Sequence, residues 1–308
     1  MYKLNHDFTT SKEQKQHFGH YRSLTSIAAG GSANIIAIPL SVIFVQVVKA
    51  ASIEIPLTFS FIKNLYANMF KNLYHHPETV FRGGLARTGQ KITTTLTNDA
   101  LSYYIDIPKN SSELEKLGLM MLRSGASGLI CSPISNIFKI LQTNKIDGKD
   151  YFKTVQRVSS HPNKYKYLIT NTMPFGAQEF LRCSIFFGVN QFIREKMKIY
   201  ERESIYEKFM ICLFSATITA TFESMVGMIL EPPIILHSTK NEKPPEKFGR
   251  EYLNYYGKLF KDTKLNTPKR IIPVYGVLML KNFTANLMFT CADTTGKQME
   301  FNAKKNKL

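Results

Sequence analysis

Apolar residues in this chain gather into long stretches separated by polar, basic connections. Leu24–Val48 carries no charged residue, Leu117–Phe138 carries only Arg123, Phe209–Leu230 only Glu223, and Ile271–Ala292 only Lys281. Each stretch is long enough for a helix rising about 1.5 Å per residue to cross a bilayer core. The pattern predicts six spans: Leu24–Lys49, Leu85–Ile105, Leu117–Leu141, Tyr167–Ile193, Phe209–Leu236 and Ile271–Thr294. Longer polar connections follow the first, third and fifth, and each is expected to hold a short amphipathic helix. Lys149–Ser159 shows this best, with Phe152, Val155 and Val158 three residues apart. Tyr252–Phe260 is a second such segment, and Asn241–Lys247 (NEKPPEK) reads as a proline-broken loop.

The second span departs from the rest. Its middle, Lys91–Asp99, reads KITTTLTND. Every polar group left unpaired in hydrocarbon costs several kcal/mol. This segment is therefore expected to line a water-filled cavity or to pack inside a larger protein assembly.

Three prolines repeat the same context. Pro39, Pro133 and Pro232 are spaced by 94 and 99 residues, each in or at the end of an apolar stretch rich in small residues. That spacing divides the chain into thirds of the form span, surface helix, span. The expected fold is an all-α membrane protein: one domain over 1–308, six transmembrane helices in three pseudo-repeats (1–110, 111–202 and 203–308). The three prolines are expected to bend the odd-numbered helices.

Charge changes the picture little. The chain has 40 Lys and Arg against 23 Asp and Glu, a formal charge of +17. The cations do not concentrate in one arm; they surround the apolar stretches, as in Lys145–Lys153 and Lys258–Arg270. That distribution suits anionic lipid headgroups, at about 1 kcal/mol per basic residue near the surface, rather than nucleic acid. Cys131, Cys183, Cys212 and Cys291 lie far apart in apolar surroundings and read as buried free thiols. The first 23 residues mix acidic and basic groups and make a poor cleavable presequence, so targeting is expected to be internal.

Three repeats of about 100 residues, each with a proline ending its first span, resemble the mitochondrial carrier family. The resemblance covers most of the chain. Ala29-Gly30-Gly31-Ser32-Ala33 before Pro39 and Ser124-Gly125-Ala126-Ser127-Gly128 before Pro133 resemble the family's glycine segments; Ser215, Ala216, Thr219 and Ala220 stand in the third repeat. Small residues let helices approach closely in lipid. Phe81-Arg82-Gly83 matches the aromatic-basic-glycine step, Phe187–Gln191 and Phe289–Asp293 resemble the ends of the even helices, and Gln142 sits where the family often has glutamine. The resemblance implies a multi-pass protein of the mitochondrial inner membrane, with cardiolipin or another anionic phospholipid held near Arg82 and Gly83 at a helix N-terminus.

The family's ion-pair chemistry is absent. Two and five residues after each proline, where the family has an acidic and a basic residue, stand Ser41 and Phe44, Ser135 and Phe138, and Ile234 and His237, with Lys139 one place late. These pairs cannot form the family's charged ring. At the opposite end only Asp293 and Lys297, one helical turn apart, form a residual pair; Asn190-Gln191 is neutral and followed by Arg194.

Ionisable residues inside spans are the remaining candidates. Lys91, Arg182 and Lys281 fall on even helices, where the family binds substrate, and three cations facing one cavity would favour an anionic solute. Alternatively, Glu179 pairs with Arg182 along its helix and Glu223 with Lys281 across neighbouring helices, which would make them structural. His75-His76 lacks a third ligand at metal spacing and no catalytic arrangement stands out, so neither metal site nor enzyme is expected. Two functions follow: a structural, transport-inactive accessory subunit of a larger inner-membrane (respiratory-chain) complex, or a solute carrier exchanging an anionic metabolite or nucleotide.

Overall fold

A computed structural model describes residues 12–81, 83–105, 107–108, 110–146, 150–160, 175–239 and 250–305. They are almost entirely helical, and no strand occurs among them. In chain order the helices are α1 (Lys12–Ser52), α2 (Phe59–His75), α3 (Pro77–Val80), α4 (Gly84–Tyr104), α5 (Glu113–Ile146) and α6 (Tyr151–Ser160). A helix over 175–183 then continues through a π-helical turn, Ser184–Val189, into Asn190–Lys196, and together these form α7. Next come α8 (Ile205–Thr239), α9 (Arg250–Asp262) and α10 (Pro268–Lys305).

Six long helices close into a ring in chain order: α1 packs on α4, α4 on α5, α5 on α7, α7 on α8, α8 on α10, and α10 back on α1. Four of them contain stretches long and apolar enough to cross a membrane: Ile27–Ser52, Glu113–Ile146, Ile205–His237 and Pro268–Met299. The chain therefore has the build of a multi-pass membrane protein. The shorter amphipathic helices stand where the sequence places them, with Tyr151–Ser160 and Arg250–Asp262 matching the two named segments to within a few residues. The expected loop at Asn241–Lys247 lies outside the described residues.

Of the six expected spans, α4 and α7 are not among those four. α4 is too polar for its length to suffice, and the sequence before 175 lies outside the described residues. The polarity of α4 is absorbed within the bundle. Thr93, Thr94 and Thr97 each donate a hydrogen bond to the carbonyl four residues back, on Gly89, Gln90 and Thr93, at 2.8–3.0 Å. α1 and α5 cover its flanks. The helix packs within the chain's own ring, and Thr95, Asn98, Asp99 and Ser102 line a small polar cavity there.

Pro39, Pro133 and Pro232 do not end their helices: α1, α5 and α8 run on past them to Ser52, Ile146 and Thr239. A proline removes one backbone donor but leaves the rest of the ladder intact.

The small residues do what their size allows. A Cβ on Gly128 would collide with the backbone carbonyl of Glu179, and one on Gly188 would fall 2.8 Å from the Met121 Cα, so α5 and α7 touch backbone to backbone. In α1, Gly30 faces Thr95 of α4, whereas Gly31 has open space beside it. In the third repeat Ser215, Ala216, Thr219 and Ala220 are all fully buried. All four cysteines carry free thiols; Cys131, Cys183 and Cys212 are buried and Cys291 is partly so.

Candidate functional site

The interior of the ring carries three ion-pair knots, strung along α10 at Lys281, Asn286 and Asp293. At 1.5 Å per residue these levels span about 18 Å along the helix axis.

The first knot is built on Glu231, the residue before Pro232. Its carboxylate accepts hydrogen bonds from Lys139 on α5 at 2.9 Å and from Lys281 on α10 at 2.8 and 3.0 Å. All three groups are buried. The Lys281 ammonium also stands 4.5 Å from the centre of the Phe44 ring on α1. The carboxylate thus joins the second and last thirds of the chain, and Lys281 extends the contact to the first through Phe44. Sequence reasoning counted forward from the proline and passed over Glu231; the residue one step back was the available signal.

The second knot centres on Arg182 of α7. Its guanidinium donates to Glu179 at 2.9 Å and to Glu223 of α8 at 2.9 Å, and Asn286 of α10 donates to the second oxygen of Glu223 at 2.9 Å. The expected Arg182–Glu179 pair is present. The expected Glu223–Lys281 pair is not: Glu223 and Glu231 lie two helical turns apart on α8, and the upper carboxylate meets Arg182 while the lower meets Lys281.

The third knot centres on Asp293. Arg194 donates to it at 2.7 Å and Lys297 lies at 3.0 Å. Arg194 also donates to Thr294 at 3.2 Å, and Asn190 donates to Thr290 at 2.6 Å. The residual Asp293–Lys297 pair therefore has a cross-helix partner in Arg194, which ties α7 to α10. On the neighbouring flank, Arg123 donates to the Ile105 carbonyl at 3.0 Å and to Gln191 at 2.9 Å, joining α5 to the end of α4 and to α7.

Between the second and third knots, the rings of Phe186, Phe187 and Phe289 pack with centroids 4.8–5.3 Å apart, against Ala29, Ala33 and Cys183. A cavity of about 20 Å3, roughly one water molecule, lies beside Phe187, Phe289, Arg194 and Asp293. At the other end, Ile43, Phe44, Val47, Ile146, Ile235 and Leu278 belong to one apolar cluster.

The six positions two and five residues after the three prolines take packing roles. Ser41 donates to the Ala37 carbonyl at 2.9 Å, and Ser135 lies 3.5 Å from Thr94. Phe44 packs beneath Lys281, and Phe138 lies over Gly89, where a Cβ would come within 2.9 Å of its ring. Ile234 is fully buried. His237 stands 2.8 Å from the Tyr255 hydroxyl and anchors α9 to α8.

Among the described residues, two interior cations, Arg87 and Lys91, have no carboxylate within ion-pair distance. Arg87 donates to Asn34 at 3.0 Å, and Lys91 lies 4.4 Å from the Phe186 ring centre. Arg82 lies outside the described residues. Gly83 adopts φ +76° at the start of α4, and a Cβ there would strike the backbone of Gln142, so this step requires glycine. His75 and His76 are exposed, and no group of three metal-ligating side chains occurs among the described residues.

No protein-family model matches this chain, and no curated protein matches it significantly.

Proposed function

We propose that this chain is a carrier-like protein of six spans in three repeats, resident in the mitochondrial inner membrane. In this reading it serves as a transport-inactive accessory subunit of a larger assembly there, with the respiratory chain as the expected host. The supporting observation is that both ends of the ring are tied at once, by the Glu231 knot at one end and the Asp293 knot at the other. Alternating access needs one end to open while the other closes. Among the described residues, the aromatic rings of Phe186, Phe187 and Phe289 and the paired charges occupy the space between the two ends. Cardiolipin or another anionic phospholipid is the proposed lipid at the Arg82-Gly83 step.

A second reading is favoured by Arg87 and Lys91. Two cations with no carboxylate within ion-pair distance among the described residues suit an anionic solute, which would make the chain an exchanger of an anionic metabolite or nucleotide. Liposomes loaded with a panel of such anions separate the two. The subunit reading expects no saturable exchange and comigration with a large complex on native electrophoresis after mild detergent. Saturable exchange abolished by Arg182→Ala or Lys281→Ala, with the protein migrating only as a small species, overturns it.

A further inference from the structure

A cavity lies outside the ring's interior, between α1 and α2. It measures about 490 Å3 and is walled by Val42, Ile43 and Gln46 of α1, Leu65, Asn68, Met69 and Asn72 of α2, and Thr79, Val80 and Ile146. That size falls in the range of small-ligand sites. It exists because α2 is held off the bundle: no residue of α2 is fully buried, although Leu65 and Met69 on its inner face reach the apolar cluster.

The chemistry of the wall is selective. Six apolar side chains form its body, and three carboxamides, Gln46, Asn68 and Asn72, sit on it. None of the three carboxamide side chains makes a hydrogen bond within the described protein. Asn68 and Asn72 stand one turn apart on the same face of α2, so their amides present donors and acceptors side by side. No charged side chain belongs to the wall among the described residues. In a chain of net charge +17 that absence discriminates. An anion would find many better places, and a cation would find no carboxylate. The wall lies on residues 42–46 of the span Ile27–Ser52, within three turns of its end, where a lipid-soluble molecule meets the water boundary.

We infer that this cavity binds an uncharged amphiphile, its apolar body against Val42, Ile43, Leu65 and Met69 and its hydrogen-bonding head on the three carboxamides. The site is independent of the ion-pair knots and of either reading of the function.

The test uses two probes with one chain length, 1-decanoylglycerol and decanoate, added to the detergent-purified full chain and read by native mass spectrometry. The expected result is a single saturating adduct with the glycerol ester and at least tenfold weaker uptake of the carboxylate. Met69→Trp fills the cavity and should remove the adduct. Asn68→Leu with Asn72→Leu alters only exposed and half-exposed positions and should weaken it at least tenfold, which keeps the test open if the tryptophan variant does not fold. Equal binding of decanoate, adducts that accumulate without saturating, or full binding in the double leucine variant would each overturn the proposal.

Discussion

Glu231 and Lys281 face each other across α8 and α10 with oxygen and nitrogen 2.8 Å apart, both buried. Lys139 shares the same carboxylate, so one anion serves two cations. Removing it would leave both lysines buried beside each other. Glu231→Ala is expected to destabilise the bundle by about 3–5 kcal/mol. The triple change Glu231→Leu, Lys139→Met, Lys281→Met should recover most of that loss, because apolar residues of similar volume replace the whole knot. The chain has no tryptophan, so thermal melting by circular dichroism in detergent is the suitable readout. A silent Glu231→Ala would show that the knot contributes nothing.

Arg182 and Lys91 are both interior cations, but they should respond differently. Arg182→Met strands Glu179 and Glu223 and is expected to cost about 3–5 kcal/mol. Lys91→Met removes a contact with the Phe186 ring, worth no more than about 2 kcal/mol, and breaks no direct ion pair among the described residues. Equal losses in the two variants would contradict the pairing described here.

At the third knot the two cations differ in exposure. The Arg194 side chain is 3% exposed and that of Lys297 31%. Solvent screens the lysine, so Lys297→Met should shift the melting temperature much less than Arg194→Met. The opposite ranking would place the main restraint along α10 rather than between α7 and α10.

Glycines give a matched pair of controls. Gly128→Ala drives a methyl into the Glu179 backbone and should separate α5 from α7, with loss of expression or a marked fall in stability. Gly31→Ala meets nothing within 4 Å and should be neutral or stabilising by up to about 1 kcal/mol, since alanine is the better helix former. Comparing yield and melting of the two variants checks the packing directly.

Helices and close contacts were legible because they follow local rules. Apolar runs with at most one charge marked α1, α5, α8 and α10, and the serine-glycine segment at 124–128 marked a backbone-to-backbone helix contact. Partners of charges were less legible. A sequence gives the helix and the heptad face of Glu223 but not its axial level against α10, and a two-turn offset along α8 decided which carboxylate met Lys281. Glu231 was not legible from the signature positions, which lie two and five residues after Pro232, because it stands one residue before that proline and about 100° around the helix from it.

The threonines of α4 have a consequence for how the protein reaches its membrane. Their hydroxyls fold back on their own helix, but Arg87, Gln90, Lys91, Asn98 and Asp99 still ride on it. Exposed to lipid alone, such a segment would be costly, because hydrocarbon would meet those polar and charged groups. In the six-span reading, α4 is therefore expected to enter the membrane together with α1 or α5, the two helices that pack on it.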